Sequence, residues 1–164
     1  MGPADRLYVA SPGTNSVVVL NLAGKILRRF DGTAGAGGRA FNQPSDVSVA
    51  PTGSVYVLDN GNFQVAEMNQ LGKSIARWSA PSSSTLYSAH VLPLSNGRLL
   101  VSDPTGSLLL YRRPGANAVR LSLRISGTSN SRQSPLGISL THSGEVLVTD
   151  NAGNRVLAIS IPTS

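Results

Sequence analysis

Cysteine is absent from the 164-residue chain, so neither disulfides nor thiolate metal sites are available to it, and the redox compartment is left open. Aromatic residues make up only 5%, too few to fill a core and also line a stacking platform for nucleic-acid bases. Long apolar runs are missing as well. Stretches such as Leu108-Leu109-Leu110-Tyr111 fall far short of the ~20 residues that a membrane helix needs, so no membrane span is expected. Met1-Gly2-Pro3-Ala4-Asp5-Arg6 lacks the basic-then-apolar plan of a secretory signal and has no Ser or Thr where myristoylation wants one. The expectation is a soluble chain with no readable address. No Gly-x-Ser-x-Gly elbow, phosphate loop or paired-carboxylate arrangement occurs, and neither histidine has a nucleophile at a recognisable spacing.

Glycine and proline, at 17 and 10 residues, sit among many Ser, Thr and Asn, while 40% of the chain is apolar. That balance reads as a turn-rich globular protein, and a chain of this length is expected to form one domain that buries roughly 70% of its unfolded surface. Fourteen basic residues against eight acidic ones give a net charge of +6, and twelve of the fourteen are arginine. An excess of this sign attracts polyanions. Yet Arg28-Arg29 and Arg112-Arg113 are the only doublets, and so dispersed a charge favours a generically basic surface.

Internal repetition decides the fold. Val55-Tyr56-Val57-Leu58-Asp59 aligns without gaps on Leu7-Tyr8-Val9-Ala10-Ser11, Leu99-Leu100-Val101-Ser102-Asp103 and Val146-Leu147-Val148-Thr149-Asp150, whose last residues lie 48, 44 and 47 positions apart in chain order. Six residues after each comes the apolar start of a second β-like run: Val17, Val65, Leu109 and Val156. Gly53, Gly97 and Gly144 precede three of the segments, with Asp5 in that place in the first copy. Upstream lie the alternations Pro44–Val49, Ala89–Leu92 and Pro135–Leu140; downstream, Gly24–Phe30 matches Gly72–Trp78, and Val119–Arg124 is a weaker third. Each unit therefore holds four short strands. Four antiparallel strands recurring every 44 to 48 residues, with turn residues between them, is the plan of a β-propeller blade. The expectation is an all-β chain of fourteen strands in about three and a half blades, an incomplete ring, with repeats at about 1–38, 39–82, 83–130 and 131–164.

Two stretches carry a resemblance to a known family. Pro-Ser-Asp-Val-Ser-Val followed by Gly-Ser-Val-Tyr-Val-Leu-Asp-Asn-Gly-Asn-Phe-Gln-Val and then Gly-Lys resembles the NHL repeat, as does Pro-Leu-Gly-Ile through Gly-Glu-Val-Leu-Val-Thr-Asp-Asn-Ala-Gly-Asn-Arg-Val. The likeness runs along the whole chain and is strongest in the second and fourth copies. The third copy departs most, and the first has Ser11 in place of the aspartate. The resemblance implies a propeller that binds other proteins, or in some members single-stranded RNA, and it commonly implies six blades. Arg155, like the arginine this family often has there, is expected to pack across its blade.

Asp59, Asn62, Asp103, Asp150 and Asn154 are read as structural turn residues. A carboxylate at a strand end accepts backbone N–H groups of the turn, while Gly and Asn supply the positive φ. Repetition supports that reading, because a site needs its chemistry once and a turn is needed in every blade. Counting back seven residues from each glycine marks Asp46, His90 and Gly137 as equivalent first-strand positions. Asp46 and His90 are weak candidate metal ligands, too few for a propeller enzyme, which gathers three or four side chains; no cofactor and no catalytic residue is assigned. Trp78, Tyr8 and Tyr56 fall at repeat positions that pack between blades. Gly32–Gly38 and Ala80–Thr85 read as flexible loops bordering an interaction face. Arg28, Arg29, Arg112 and Arg113 are the candidates for contact with RNA or a protein partner. Three functions follow in order: a protein-binding scaffold, single-stranded RNA binding, and a metal-dependent lyase or hydrolase. Too few blades for a comfortable ring point to a segment of a longer protein, to chains that complete one another through their terminal blades, or to an open arc.

Overall fold

The computed structural model describes residues 5–35, 37–80, 89–94, 97–103, 106–122 and 135–161. Fourteen strands form four antiparallel sheets. The first holds β1 (Arg6–Ser11), β2 (Ser16–Asn21) and β3 (Ile26–Phe30). Strands β4 (Pro44–Val49), β5 (Val55–Asp59), β6 (Gln64–Met68) and β7 (Ser74–Ser79) form the second. The third contains β8 (Val91–Pro93), β9 (Leu99–Asp103), β10 (Ser107–Tyr111) and β11 (Val119–Ser122). Strands β12 (Pro135–Leu140), β13 (Val146–Asp150) and β14 (Arg155–Ile159) make the fourth. Every strand pairs with its neighbour in sequence, and no α-helix occurs among the described residues.

Side chains alternate across each strand, so a strand between two covered faces must be apolar throughout. Strands β5 and β9 show this, with all five residues of each buried. Val55 and Val57 turn toward the first sheet, where they join Val17, Val19, Phe30 and Met68 in one core cluster. Tyr56 and Leu58 turn the other way and join Val65, Trp78, Leu99, Val101 and Tyr111. Leu100, Leu108 and Leu110 continue the series onto Val146 and Val148. The sheets therefore stack as blades, each burying its apolar faces only against its neighbours, and Trp78 meets Tyr111 edge-on at 6.2 Å between blades two and three.

Three expectations are corrected. The six-residue spacing fails in the third copy: Asp103 pairs with Ser107, whereas Asp59 pairs with Gln64. One fewer residue connects that hairpin, so Leu108 rather than Leu109 is the counterpart of Val65. The residue of positive φ in the second copy is Phe63 at 51°, not Gly or Asn, although Asn15 and Asn154 hold that place at 48° in the first and fourth copies. Gly61 serves instead to let the chain pass Asn42, whose carbonyl oxygen lies 2.8 Å from where a Cβ would stand. Two residues of the Gly32–Gly38 stretch are tied to β7: Ala34 accepts the Ser74 N–H at 2.8 Å and Gly37 accepts Arg77 Nε at 2.9 Å. Residues 81–85 of the other loop, and the end of the weak Val119–Arg124 run, lie outside the described residues.

Candidate functional site

Each second strand delivers a polar residue to the start of its hairpin, and each hairpin closes over it differently. Asp59, fully buried, accepts the Asn42 N–H at 2.7 Å, Asn62 Nδ2 at 2.8 Å and Gln64 Nε2 at 2.6 Å. Asn62 also donates to the Ala40 carbonyl, which ties the turn to the linker arriving from the first blade. Asp150 accepts Arg155 Nε at 3.0 Å and the Gly153 N–H, with Asn154 exposed beside them at its left-handed φ. Asp103 accepts Arg120 Nη1 at 2.7 Å, and that arginine also donates to Ser107. In the first blade, where serine replaces the carboxylate, Thr14 bridges Ser11 and Ser16, and Arg29 Nη1 donates to Thr14 and Ser16.

A pattern on the outermost strands was not legible from the strand-end motif alone. Arg29 stands opposite Val18, Arg77 opposite Ala66 and Arg120 opposite Leu109, so three blades present an arginine on the same side of the sheet. Burial pushes the Arg77 guanidinium below its usual pKa, against the charge of Asp59. The alignment of Arg28-Arg29 with Ala76-Arg77 was the available signal. Of the four arginines expected to meet a partner, Arg29 is tied to its own hairpin, and Arg28 reaches the Leu71 carbonyl at 3.5 Å. Arg112 and Arg113 are exposed in the turn after β10.

The inner strands bring Asp46 and His90 together across two blades. His90 Nδ1 lies 3.5 Å from Asp46 Oδ2, and the same oxygen accepts the Val91 N–H at 2.7 Å. The carboxylate raises the His90 pKa through that hydrogen bond, while partial burial opposes it. His90 N–H donates to Ser102 Oγ, and Ser102 Oγ donates onward to the Leu136 carbonyl of the fourth blade, both at 2.8 Å. At the third equivalent position, Gly137 N–H donates to Thr149 Oγ1. Asp46, His90 and Ser102 therefore form a polar seam that stitches the second, third and fourth blades, while the Gly137–Thr149 bond stays within the fourth. No group of three or more His, Asp or Glu able to hold a metal occurs among the described residues. No helix among them is long and apolar enough to cross a membrane.

Stacked antiparallel sheets of three or four strands define an all-β protein of the propeller class. Residues 41–67, from the linker through β6, match the NHL repeat family. Solved structures with the same fold include a streptogramin B lyase, at TM-score 0.63 and 12% identity over 99% of this chain and 53% of that one. A catalytically inactive virginiamycin B lyase variant from Staphylococcus aureus with quinupristin gives 0.62 and 14% identity, over 98% and 54%. Hydrazine synthase of Kuenenia stuttgartiensis gives 0.58 and 17%, over 97% and 47%. The chain spans about half the length of these three proteins. No curated protein matches it.

Proposed function

We propose that this chain is a non-catalytic propeller module whose NHL-type blade binds a partner protein along the rim formed by the β5–β6 turn and the linker from the first blade. Phe63 carries this reading. It is half exposed, and it holds a left-handed backbone that costs a residue with a Cβ about 1–2 kcal/mol, at a position where two other blades place asparagine. An aromatic that is both strained and exposed contributes little to folding, so its benefit lies in a contact made outside the chain. Arg39 and Asn42 on the linker are exposed, and the residues that match the NHL repeat include Asn42 and the β5–β6 turn. The inner-edge Asp46–His90 pair supports catalysis less well, because its carboxylate is already engaged by a backbone amide of the next blade.

A photo-cross-linkable phenylalanine analogue at position 63 tests the reading. The expected result is a discrete protein adduct that survives ribonuclease and is absent when the analogue replaces exposed Leu22. An adduct removed by ribonuclease assigns the rim to RNA instead, and no adduct overturns the reading. Phe63→Asn should abolish the adduct partner's binding while raising unfolding stability by about 1 kcal/mol, a pairing that misfolding cannot mimic.

A further inference from the structure

The three blade interfaces inside the chain bury equivalent positions, although the first sheet has three strands where the second and third have four, and the two ends of the stack display the same positions uncovered. Each interface joins the forward face of one blade to the backward face of the next. Val17 shares a core cluster with Val57, Val65 with Val101, and Leu108 with Val148, and all six are fully buried. On the forward face of the fourth blade, the counterpart of Val17, Val65 and Leu108 is Val156, which is 62% exposed. Leu147, the counterpart of Tyr56 and Leu100, stands beside it at 36%. On the backward face of the first blade, the counterpart of Val57, Val101 and Val148 is Val9, at 43%. Half-buried Leu7 and Leu20, paired across β1 and β2, share that face with Val18, which pairs with Val9 and is itself buried.

We propose that these two faces belong together: a second copy of the chain sets its first blade against the fourth blade of the first copy, Val9 on Val156, and the reciprocal contact closes one eight-bladed ring. Self-complementarity identifies the occupant, since the mate of each free face is a surface that the chain itself carries. Such a contact is head-to-tail, and it closes after two copies only if four blades sweep half a turn. Eight blades lie within the range that closed propellers adopt, which favours that closure. Closure would also bring a second Asp46–His90 pair to the same axis, so the inner edge of one copy is half of an assembled surface. The inference is independent of the partner assigned to Phe63, which lies on neither free face.

The absence of cysteine makes the test clean. Val9→Cys and Val156→Cys chains are mixed and treated with oxidant or a short bismaleimide, and the unmodified chain is weighed by light scattering. The expected results are twice the protomer mass for the unmodified chain, a two-chain cross-link in the mixture only, and a doubly substituted chain that stops at the two-chain species. A cross-link formed by either single variant alone means face-to-face pairing and overturns the proposal. A ladder from the double variant means an open filament and does the same. A protomer mass for the unmodified chain overturns it whether or not the variants fold.

Discussion

Tyr8 and Tyr56 occupy the same place in the first and second blades, yet their hydroxyls have different fates. Tyr56 donates to Glu67 Oε1 at 3.0 Å, and burial together with that carboxylate raises its pKa. The counterpart of Glu67 in the first blade is Val19, opposite Tyr8, so the buried Tyr8 hydroxyl has no partner among the described residues. Removing one hydroxyl thus deletes a bond, while removing the other deletes a desolvation cost. Tyr56→Phe should lower stability by about 1 kcal/mol, and Tyr8→Phe should leave it unchanged or raise it, as measured by urea unfolding of both variants. At this scale the sequence is legible in part. Asp59, Asp103 and Asp150 lie where the repeat places them, but their donors are amide groups in one blade and arginines in the others. The partner is set by whichever side chain the hairpin and outer strand bring over the carboxylate, a tertiary choice that spacing does not record.

The connections between the third and fourth strands of the first two blades show the same division between pattern and packing. Asn21 Oδ1 accepts the Lys25 N–H, Asn69 Oδ1 accepts those of Leu71 and Lys73, and Gly24 and Gly72 both adopt left-handed φ, at 78° and 82°. The matching Gly-Lys pairs make that turn readable from the chain alone. Their surroundings differ. A Cβ on Gly24 would meet nothing within 4 Å, whereas one on Gly72 would stand 2.4 Å from Phe30 Cδ1, because the second turn tucks under the core of the first blade. Gly24→Ala should therefore cost only the backbone strain, about 1 kcal/mol, and Gly72→Ala about 2–4 kcal/mol once displacement of the Phe30 ring is added. Thermal unfolding of the two variants under one buffer checks the difference, and equal losses would refute the argument. Strand count and order are legible for a related reason: buried strands such as β5 need apolar residues at consecutive positions, and four copies repeat that demand. The one-residue slip in the third hairpin is hidden because Leu108, Leu109 and Leu110 offer an apolar side chain at whichever register is chosen.

Across the whole molecule, stability is carried by contacts between neighbours in a row, so the ends and the middle should not unfold together. The second and third blades are covered on both faces, and their shared cluster contains Trp78, the only tryptophan, packed on Tyr111. Burial and the charge of Asp103 push the Tyr111 pKa up to about 12, so that ring stays neutral through the range in which the fold is studied. The fourth blade is covered on one face only, and β14 alternates between half-buried and exposed residues. Tryptophan fluorescence therefore reports the middle of the row, while far-ultraviolet circular dichroism reports every strand. In dilute solution the dichroism transition should begin at lower urea than the fluorescence transition, since two-state behaviour requires the probes to coincide and a row of blades does not. Val148→Ala, which loosens the attachment of the fourth blade, should widen that gap; Leu58→Ala, beside Trp78, should move the fluorescence transition by about 2–5 kcal/mol. Raising the protein concentration separates the fates of a free end and a paired one. If the terminal faces close on a second copy, mass action stabilises the end blades and the two transitions converge as concentration rises; if they stay uncovered, the gap is independent of concentration.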